Sequence, residues 1–302
     1  MDPESTPASA PQFRRVGIVA KSHLNEAASL LDEIVNWLEA RDVEAVFEAD
    51  TAALAASGRD YVTTTRADLP RVVDLLLVLG GDGTLLSMAD RIAQAGTDVP
   101  ILGVNFGSLG FLTEVTLPEL YPALESVLRG RACFESRMMM RCRITRRDVV
   151  VADMPVLNDV VVTRGSVSRV IDLSVSVDDQ LVARFKADGV IVATPTGSTA
   201  YNLAAGGPIV CPAVDAFVLT PIAPHTLTNR PVVLPASSVV HVQHSVDATQ
   251  EVFVTLDGQD SVSLHADDVV HVARAPVPLR LVKAATRSYF DVLRRKLKWA
   301  ER

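Results

Sequence analysis

The most constraining stretch of the chain is Asp74-Leu-Leu-Leu-Val-Leu79 running straight into Gly80-Gly-Asp-Gly-Thr84. A short apolar run bounded by glycine reads as a buried strand. Beyond the turn, Leu85, Leu86, Met88, Ala89, Ile92 and Ala93 recur at spacings of three and four. That spacing predicts a helix with one buried face. The turn therefore lies at the carboxyl end of a strand and the start of a helix, where open α/β sheets bind ligands. Glycine there permits positive φ and lets a ligand approach the backbone without meeting a Cβ. The N–H groups of the helix start suit phosphate oxygens. Asp82 among them repels phosphate, so its carboxylate fits a role in holding a metal or accepting a proton. An acidic turn that merely closes the strand is the plainer alternative.

Strands at Val16–Ala20, Val43–Phe47 and Pro100–Asn105 alternate with helical spacing over Glu26–Ala40 and Leu117–Leu128. A second glycine-spaced loop, Phe106-Gly-Ser-Leu-Gly-Phe-Leu112, follows the last of these strands, and residues 51–72 carry no clear period. Such alternation implies a parallel sheet covered on both faces. Near residue 130 the pattern changes to short alternating stretches, among them Phe134–Ile144, Val170–Val177, Val239–Gln243, Val252–Leu256 and Val269–Ala273. With turns such as Asp178-Asp179 and Asp257-Gly258 between them, these predict an antiparallel β domain. The last segment returns to helix, with Tyr289, Phe290, Leu293 and Leu297 on one side.

Hydrophobic residues make up 48% of the 302, aromatics only 5%, so the core is aliphatic. That favours an α/β or β-rich enzyme. A net charge of −7 without any block of lysine or arginine argues against a nucleic-acid partner. Cys133, Cys142 and Cys211 have no CxxC spacing and leave one unpaired, which reads as free thiols in a reducing compartment. No apolar run reaches the ~18 residues of a membrane span. The Pro-, Ser- and Ala-rich residues 1–13 read as a loose tail, without the basic start and apolar middle of a signal peptide. A cytoplasmic protein without a membrane partner is expected. His241 and His244 fall on opposite faces of a strand, and His225, His265 and His271 have no partner at ligand spacing, so no zinc site is expected.

A second constellation is Asp188-Gly-Val-Ile-Val-Ala-Thr194-Pro-Thr-Gly-Ser-Thr-Ala-Tyr201-Asn202, followed by Gly206-Gly-Pro208. A buried strand again discharges into hydroxyls and glycine, with a tyrosine behind them. Such a run offers hydrogen bonds to sugar hydroxyls or phosphates and an aromatic face for a base. Taken with Gly80–Thr84 and Asn158-Asp159, in this order over Val16–Lys298, the chain resembles the NAD kinase family. Diacylglycerol kinases, sphingosine kinases and phosphofructokinases carry sequences similar to the glycine-rich turn; the Thr194–Tyr201 run is far more specific.

The resemblance implies an enzyme, a phosphotransferase that takes a phosphoryl group from ATP or inorganic polyphosphate to the 2′-hydroxyl of the adenosine ribose of NAD, giving NADP. It implies an N-terminal α/β domain with a parallel sheet (14–130, with 286–302 packing back on it) and a C-terminal β-sandwich that binds the dinucleotide (131–285), with the site between them. It also implies a homodimer or homotetramer. Asp82 matches the catalytic aspartate, a base for a hydroxyl that is a poor nucleophile at neutral pH. Gly80, Gly81, Gly83 and Thr84 would approach the phosphate donor, with Mg²⁺ offsetting charge and no fixed protein ligands to the metal. Beside Asp82 and Gly83, the NAD contacts implied are Asn158, Asp159, Asp188, Thr199, Ala200, Tyr201, Asn202, Leu203 and Ala204. Arg169, Lys186 and Gln259 are implied as more peripheral contacts. Many relatives carry Glu where Asp159 stands, so a contact there lengthens or takes in a water. Without the resemblance, Asn158-Asp159 reads as a β-turn, and Arg169 and Lys186 as solvated strand residues. There is no GxxxxGK[ST] of a P-loop kinase, and Leu86 stands where a GxGxxG motif needs its last glycine. A lipid kinase and a catalytically silent NAD(P)-binding regulator are the competing readings.

Overall fold

A computed structural model of the chain describes residues 13–21, 27–55, 58–107, 109–165, 170–244 and 251–299. The tail reading for residues 1–13 thus falls, apart from a buried Phe13, outside the described residues. The chain divides into two units, Met1–Glu135 with Arg280–Arg302, and Ser136–Leu279.

In the first unit, β1 (Arg15–Ala20), α1 (Ala27–Glu39), β2 (Glu44–Glu48), α2 (Ala49–Ala52), β3 (Val62–Thr64), α3 (Leu69–Val72), β4 (Leu75–Leu79), α4 (Asp82–Ala95), β5 (Ile101–Asn105), β6 (Val115–Thr116) and α5 (Leu120–Leu128) follow one another. The sheet is completed by β7 (Phe134–Arg137) and β20 (Leu279–Val282), in the order β3-β2-β1-β4-β5-β20-β7, with β6 on β5. The pairings among β1–β6 are parallel. All five residues of β4 have no exposed surface, as a strand hydrogen-bonded on both sides and covered on both faces requires.

The strand order reverses between β1 and β4, so the turn at Gly80 opens at a topological switch point. Residues 51–72, without a period of their own, form α2, β3 and α3. A buried Glu48 caps α2 through the Thr51 N–H at 3.0 Å, and the Thr51 hydroxyl accepts the Ala20 N–H at 2.9 Å. These contacts, not propensity, hold that stretch. Helix α7 (Tyr289–Leu297) belongs to the first unit. Just before it, the Thr286 hydroxyl and the Arg287 guanidinium each reach the Glu119 carboxylate at 2.7 Å. The buried face of α7 is centred on Val292 and Leu293, and Phe290 is 59% exposed. The helix is thus turned from the expected face: Tyr289, Leu293 and Leu297 keep spacings of four, whereas Phe290 lies one residue, or ~100°, round the helix.

The second unit consists of β8 (Met140–Arg146), β9 (Val149–Val156), β10 (Asp159–Arg164), β11 (Ile171–Val177), β12 (Gln180–Ala187), β13 (Gly189–Ala193), β14 (Ala216–Ile222), β15 (Val232–Pro235), β16 (Val240–His244), β17 (Val252–Leu256), β18 (Asp260–Leu264) and β19 (Asp268–Arg274), with one short helix, α6 (Tyr201–Ala204). They form two six-stranded antiparallel sheets, β15-β14-β13-β10-β17-β18 and β12-β11-β16-β19-β8-β9. Ile144, Leu173, Val242 and Val272 from one sheet share a single core with Val160, Val190, Phe217 and Val254 from the other. Strands β9 and β12 are sheet edges, and consecutive Val149, Val150 and Val151, and Leu181 with Val182, are exposed there. Among the described residues no helix is long and apolar enough to cross a membrane.

Candidate active site

The turn after β4 is built as the sequence implies, with one difference. None of Gly80, Gly81 and Gly83 takes a positive φ. A Cβ on Gly80 would lie 2.8 Å from the Thr84 hydroxyl and 3.3 Å from the Lys21 Cβ, so this glycine lets the turn pack against β1. A Cβ on Gly81 or Gly83 would meet nothing within 4 Å. Neither packing nor backbone strain accounts for glycine at these two positions. What remains is the open approach they leave in front of the first turn of α4.

Asp82 is the first residue of α4, half-buried, and its carboxylate is clamped by the loop that follows β5. The Phe111 N–H donates to Oδ2 at 2.8 Å; the Leu112 N–H, the Thr113 N–H and the Thr113 hydroxyl donate to Oδ1 at 3.1, 3.0 and 3.0 Å. A Cβ on Gly110 would lie 2.1 Å from Oδ1, so that glycine is what lets the loop close on the carboxylate. The two glycine-spaced loops are therefore one construction around Asp82.

In the second unit, the Thr194–Tyr201 run is stapled to residues 157–159. Thr194 N–H donates to Asn158 O at 2.9 Å and its hydroxyl to Leu157 O at 2.6 Å. The hydroxyls expected to face a ligand largely serve the fold: Ser198 donates to Pro195 O at 2.6 Å and Thr199 to Thr196 O at 3.3 Å. A tight turn that crosses another loop must satisfy its own carbonyls first. Asn202 has no exposed surface; its amide donates to Ser198 O and Pro208 O and accepts the Thr220 hydroxyl at 2.6 Å. Tyr201 by contrast is 45% exposed. Asn158-Asp159 leads into β10, and its shape is set from ~100 residues away. The Asp257 carboxylate accepts the N–H groups of Leu157, Asn158 and Asp159 at 2.8, 2.6 and 3.1 Å. Asp257 read as only a hairpin turn residue in the sequence, and no local signal distinguishes it.

Two family descriptions match the chain: ATP-NAD kinase N-terminal domain over residues 16–132, and ATP-NAD kinase C-terminal domain over 157–284. The chain belongs to the NAD kinase family. It is 47% identical to the NAD kinase of Geobacter sulfurreducens and 45% identical to that of Syntrophotalea carbinolica, in each case over 96% of this chain and all of the relative. Its fold is similar to that of yeast NADH kinase complexed with NADH, with a TM-score of 0.87 and 27% identity over 96% of this chain and 89% of that one. It is also similar to an NAD kinase from Archaeoglobus fulgidus in complex with ATP, with a TM-score of 0.71 and 26% identity over 93% of this chain and 99% of that one.

Of the residues that resemblance to NAD kinases singles out, the structure brings Asn158, Asp159, Thr199, Ala200 and Tyr201 together in the second unit. Leu203 is half-buried and Ala204 exposed on α6. Asp188 lies at the other end of β13, roughly 20 Å along the strand from Thr194, and Lys186 is two residues before it on β12. There Asp188 pairs with Arg164 at 2.6 Å and Lys186 with Asp172 at 3.6 Å. Gln259 is exposed in the β17–β18 turn, and Arg169 lies outside the described residues. Strand register also pairs what spacing kept apart: His241 and His271 face each other across β16 and β19, rings 4.8 Å apart. Among the described residues, no group of three or more His, Cys, Asp or Glu is placed to hold a metal. The donor set at the turn, one carboxylate beside open backbone, suits an Mg²⁺ that arrives on substrate phosphates.

Asp159 is a carboxyl of the second unit held well above its ordinary range. Burial, with the Asp257 carboxylate beside it, pushes it up to about 7 against the pull of the Tyr201 N–H. Because the folded value is raised above the ordinary 3.8, the folded state holds this proton more tightly than the unfolded chain. The cost to stability is absent below about pH 4, grows as the pH rises to about 7, and is constant above that. Asp159→Asn should therefore melt increasingly above the parent as the pH rises from 4 to 7, by on the order of a few kcal/mol at the plateau. Thermal melts of both proteins without NAD across that range test this; a difference that does not change with pH contradicts it.

Proposed function

We propose that the chain transfers a phosphoryl group from ATP or inorganic polyphosphate to the 2′-hydroxyl of the adenosine ribose of NAD, giving NADP. The observation that carries this reading is the Asp82 carboxylate, held at the head of α4 beside two glycines whose missing side chains serve no packing purpose. Asp82 takes the hydroxyl proton as the ribose oxygen bonds to phosphorus, and the donor leaves as ADP or a polyphosphate one unit shorter. A base placed in this way contributes about 10²–10⁴-fold. Gly80, Gly81, Gly83 and Thr84 form the donor's seat, where the α4 amino terminus favours anionic oxygens. Mg²⁺, or another divalent cation, neutralises charge on the donor's phosphates when bound.

NAD is held through Asn158, Asp159 and the Thr199–Ala204 segment, with Tyr201 offering the aromatic face and Asn202 acting from inside by fixing the turn. Residues 131–285 act as the dinucleotide domain, and residues 14–130 with 286–302 as the domain that carries the base. Asp188 is a further contact to the dinucleotide, and Arg169, Lys186 and Gln259 are more peripheral ones. The exposed edge valines 149–151 favour self-association as a homodimer or homotetramer, since an uncovered apolar edge strand is a pairing surface. Three cysteines without paired spacing suit a reducing, cytoplasmic compartment.

The test is NADP formation by the purified chain with NAD and Mg²⁺, supplied with ATP in one tube and polyphosphate in another. NADP in either is the expected result. Silence in both, with NAD bound by calorimetry, would leave a regulator in place of an enzyme.

A further inference from the structure

The clamp on Asp82 has a polarity that can be followed atom by atom. The Gly107 N–H donates to Asn105 Oδ1 at 2.6 Å, which turns the Asn105 amide nitrogen toward the Thr113 hydroxyl, 3.0 Å away. An amide nitrogen only donates, so the Thr113 oxygen must accept from it and send its own proton elsewhere. The acceptor is Asp82 Oδ1. Thr113 has no exposed surface and Asn105 is 7% exposed, so neither hydroxyl nor amide is set by solvent. Oδ1 thus receives three donors, Oδ2 receives one, and a carboxylate oxygen has two lone pairs.

We propose that Asn105 and Thr113 are positioning residues that saturate Oδ1 of Asp82 and so present Oδ2, with its remaining lone pair, as the oxygen that takes the proton. The inference rests on Asp82 acting as the base. Asn105 ends β5 and Asp82 follows β4, which are parallel neighbours, so both hang from the carboxyl edge of one sheet. Rigid strand ends hold such an array more closely than loops can. Neither Asn105 nor Thr113 needs to touch NAD or the phosphate donor.

Thr113→Val keeps the shape and removes the hydroxyl. It should lower kcat by roughly 10- to 100-fold, the scale of one hydrogen bond to a charged group, with KM for NAD changed less than about twofold. Thr113→Ser should recover most of that loss, and Asn105→Ala should lower kcat in the same direction with KM again held. A hydroxyl needed only for folding would lower the melting temperature without this split. If Thr113→Val fails to fold, Asn105→Ala carries the test alone. Full turnover in Thr113→Val, or in Asn105→Ala, while Asp82→Asn is inactive would overturn this inference and leave the base reading standing. Normal turnover in Asp82→Asn would overturn the base reading itself.

Discussion

Asp82→Asn lowers NADP formation by at least ~10²-fold, the low end for a positioned acid–base group. The amide cannot take a proton from the ribose hydroxyl at neutral pH, so the hydroxyl must attack unassisted. The clamp adds a second consequence. Asparagine has one oxygen, whereas the carboxylate accepts from Phe111 through Oδ2 and from Leu112 and Thr113 through Oδ1. The oxygen will occupy the Oδ1 position, where three donors converge, and the amide nitrogen will face the Phe111 N–H. That end of the loop should loosen, which costs a charge-assisted hydrogen bond of about 1.5–3 kcal/mol. Turnover, NAD affinity by calorimetry and the melting temperature, measured on the same preparation, separate the effects. The expected pattern is turnover lost, affinity kept within about tenfold, and a modest fall in melting temperature. Turnover close to the parent's would remove Asp82 from the chemistry.

Gly197→Ala should have the largest effect on the second unit. Its Cβ would lie 2.0 Å from Asn158 O, 2.3 Å from Asn158 C and 2.6 Å from Asn158 Cα. No side chain can swing aside there, because every atom met is backbone. The neighbouring staples, Thr194 N–H to Asn158 O and Thr194 hydroxyl to Leu157 O, would have to part for the chain to fit. A loss above ~4 kcal/mol is expected, in the range that marks a severe core defect. NAD affinity should fall with it, since Asn158, Asp159 and Tyr201 would no longer share one surface. Gly83→Ala is the contrast. Its Cβ meets nothing, its φ is ordinary, and alanine suits a first helical turn better than glycine does. It should leave the melting temperature level or slightly raised while slowing phosphoryl transfer by crowding the donor. Equal melting temperatures for the two variants would mean that residues 157–159 and 194–197 are not packed as described.

The parts of this protein that were legible in the sequence are those whose cause is local. Leu75–Leu79 is a central strand because five consecutive aliphatics need burial on both faces. The spacings of three and four after Gly83 place α4, and Asp82 stands out because a carboxylate among glycines at a helix start is an anomaly. The break near residue 130 shows because strand periodicity replaces helical periodicity. Tertiary structure alone decided the rest. Asp257 holds Leu157, Asn158 and Asp159 across about a hundred residues, and Asn105 acts on Asp82, through the Thr113 hydroxyl, only because β4 and β5 are neighbours. The Thr194–Thr199 hydroxyls look available in sequence, yet Thr194, Ser198 and Thr199 donate to the fold's own carbonyls. Asp159 titrates far from its ordinary range because folding buries it beside Asp257. Periods of 2 and 3.6 report which face of an element is apolar, and no more. Which strand lies beside which, and hence which polar groups meet, depends on contacts between segments that carry no trace of each other along the chain.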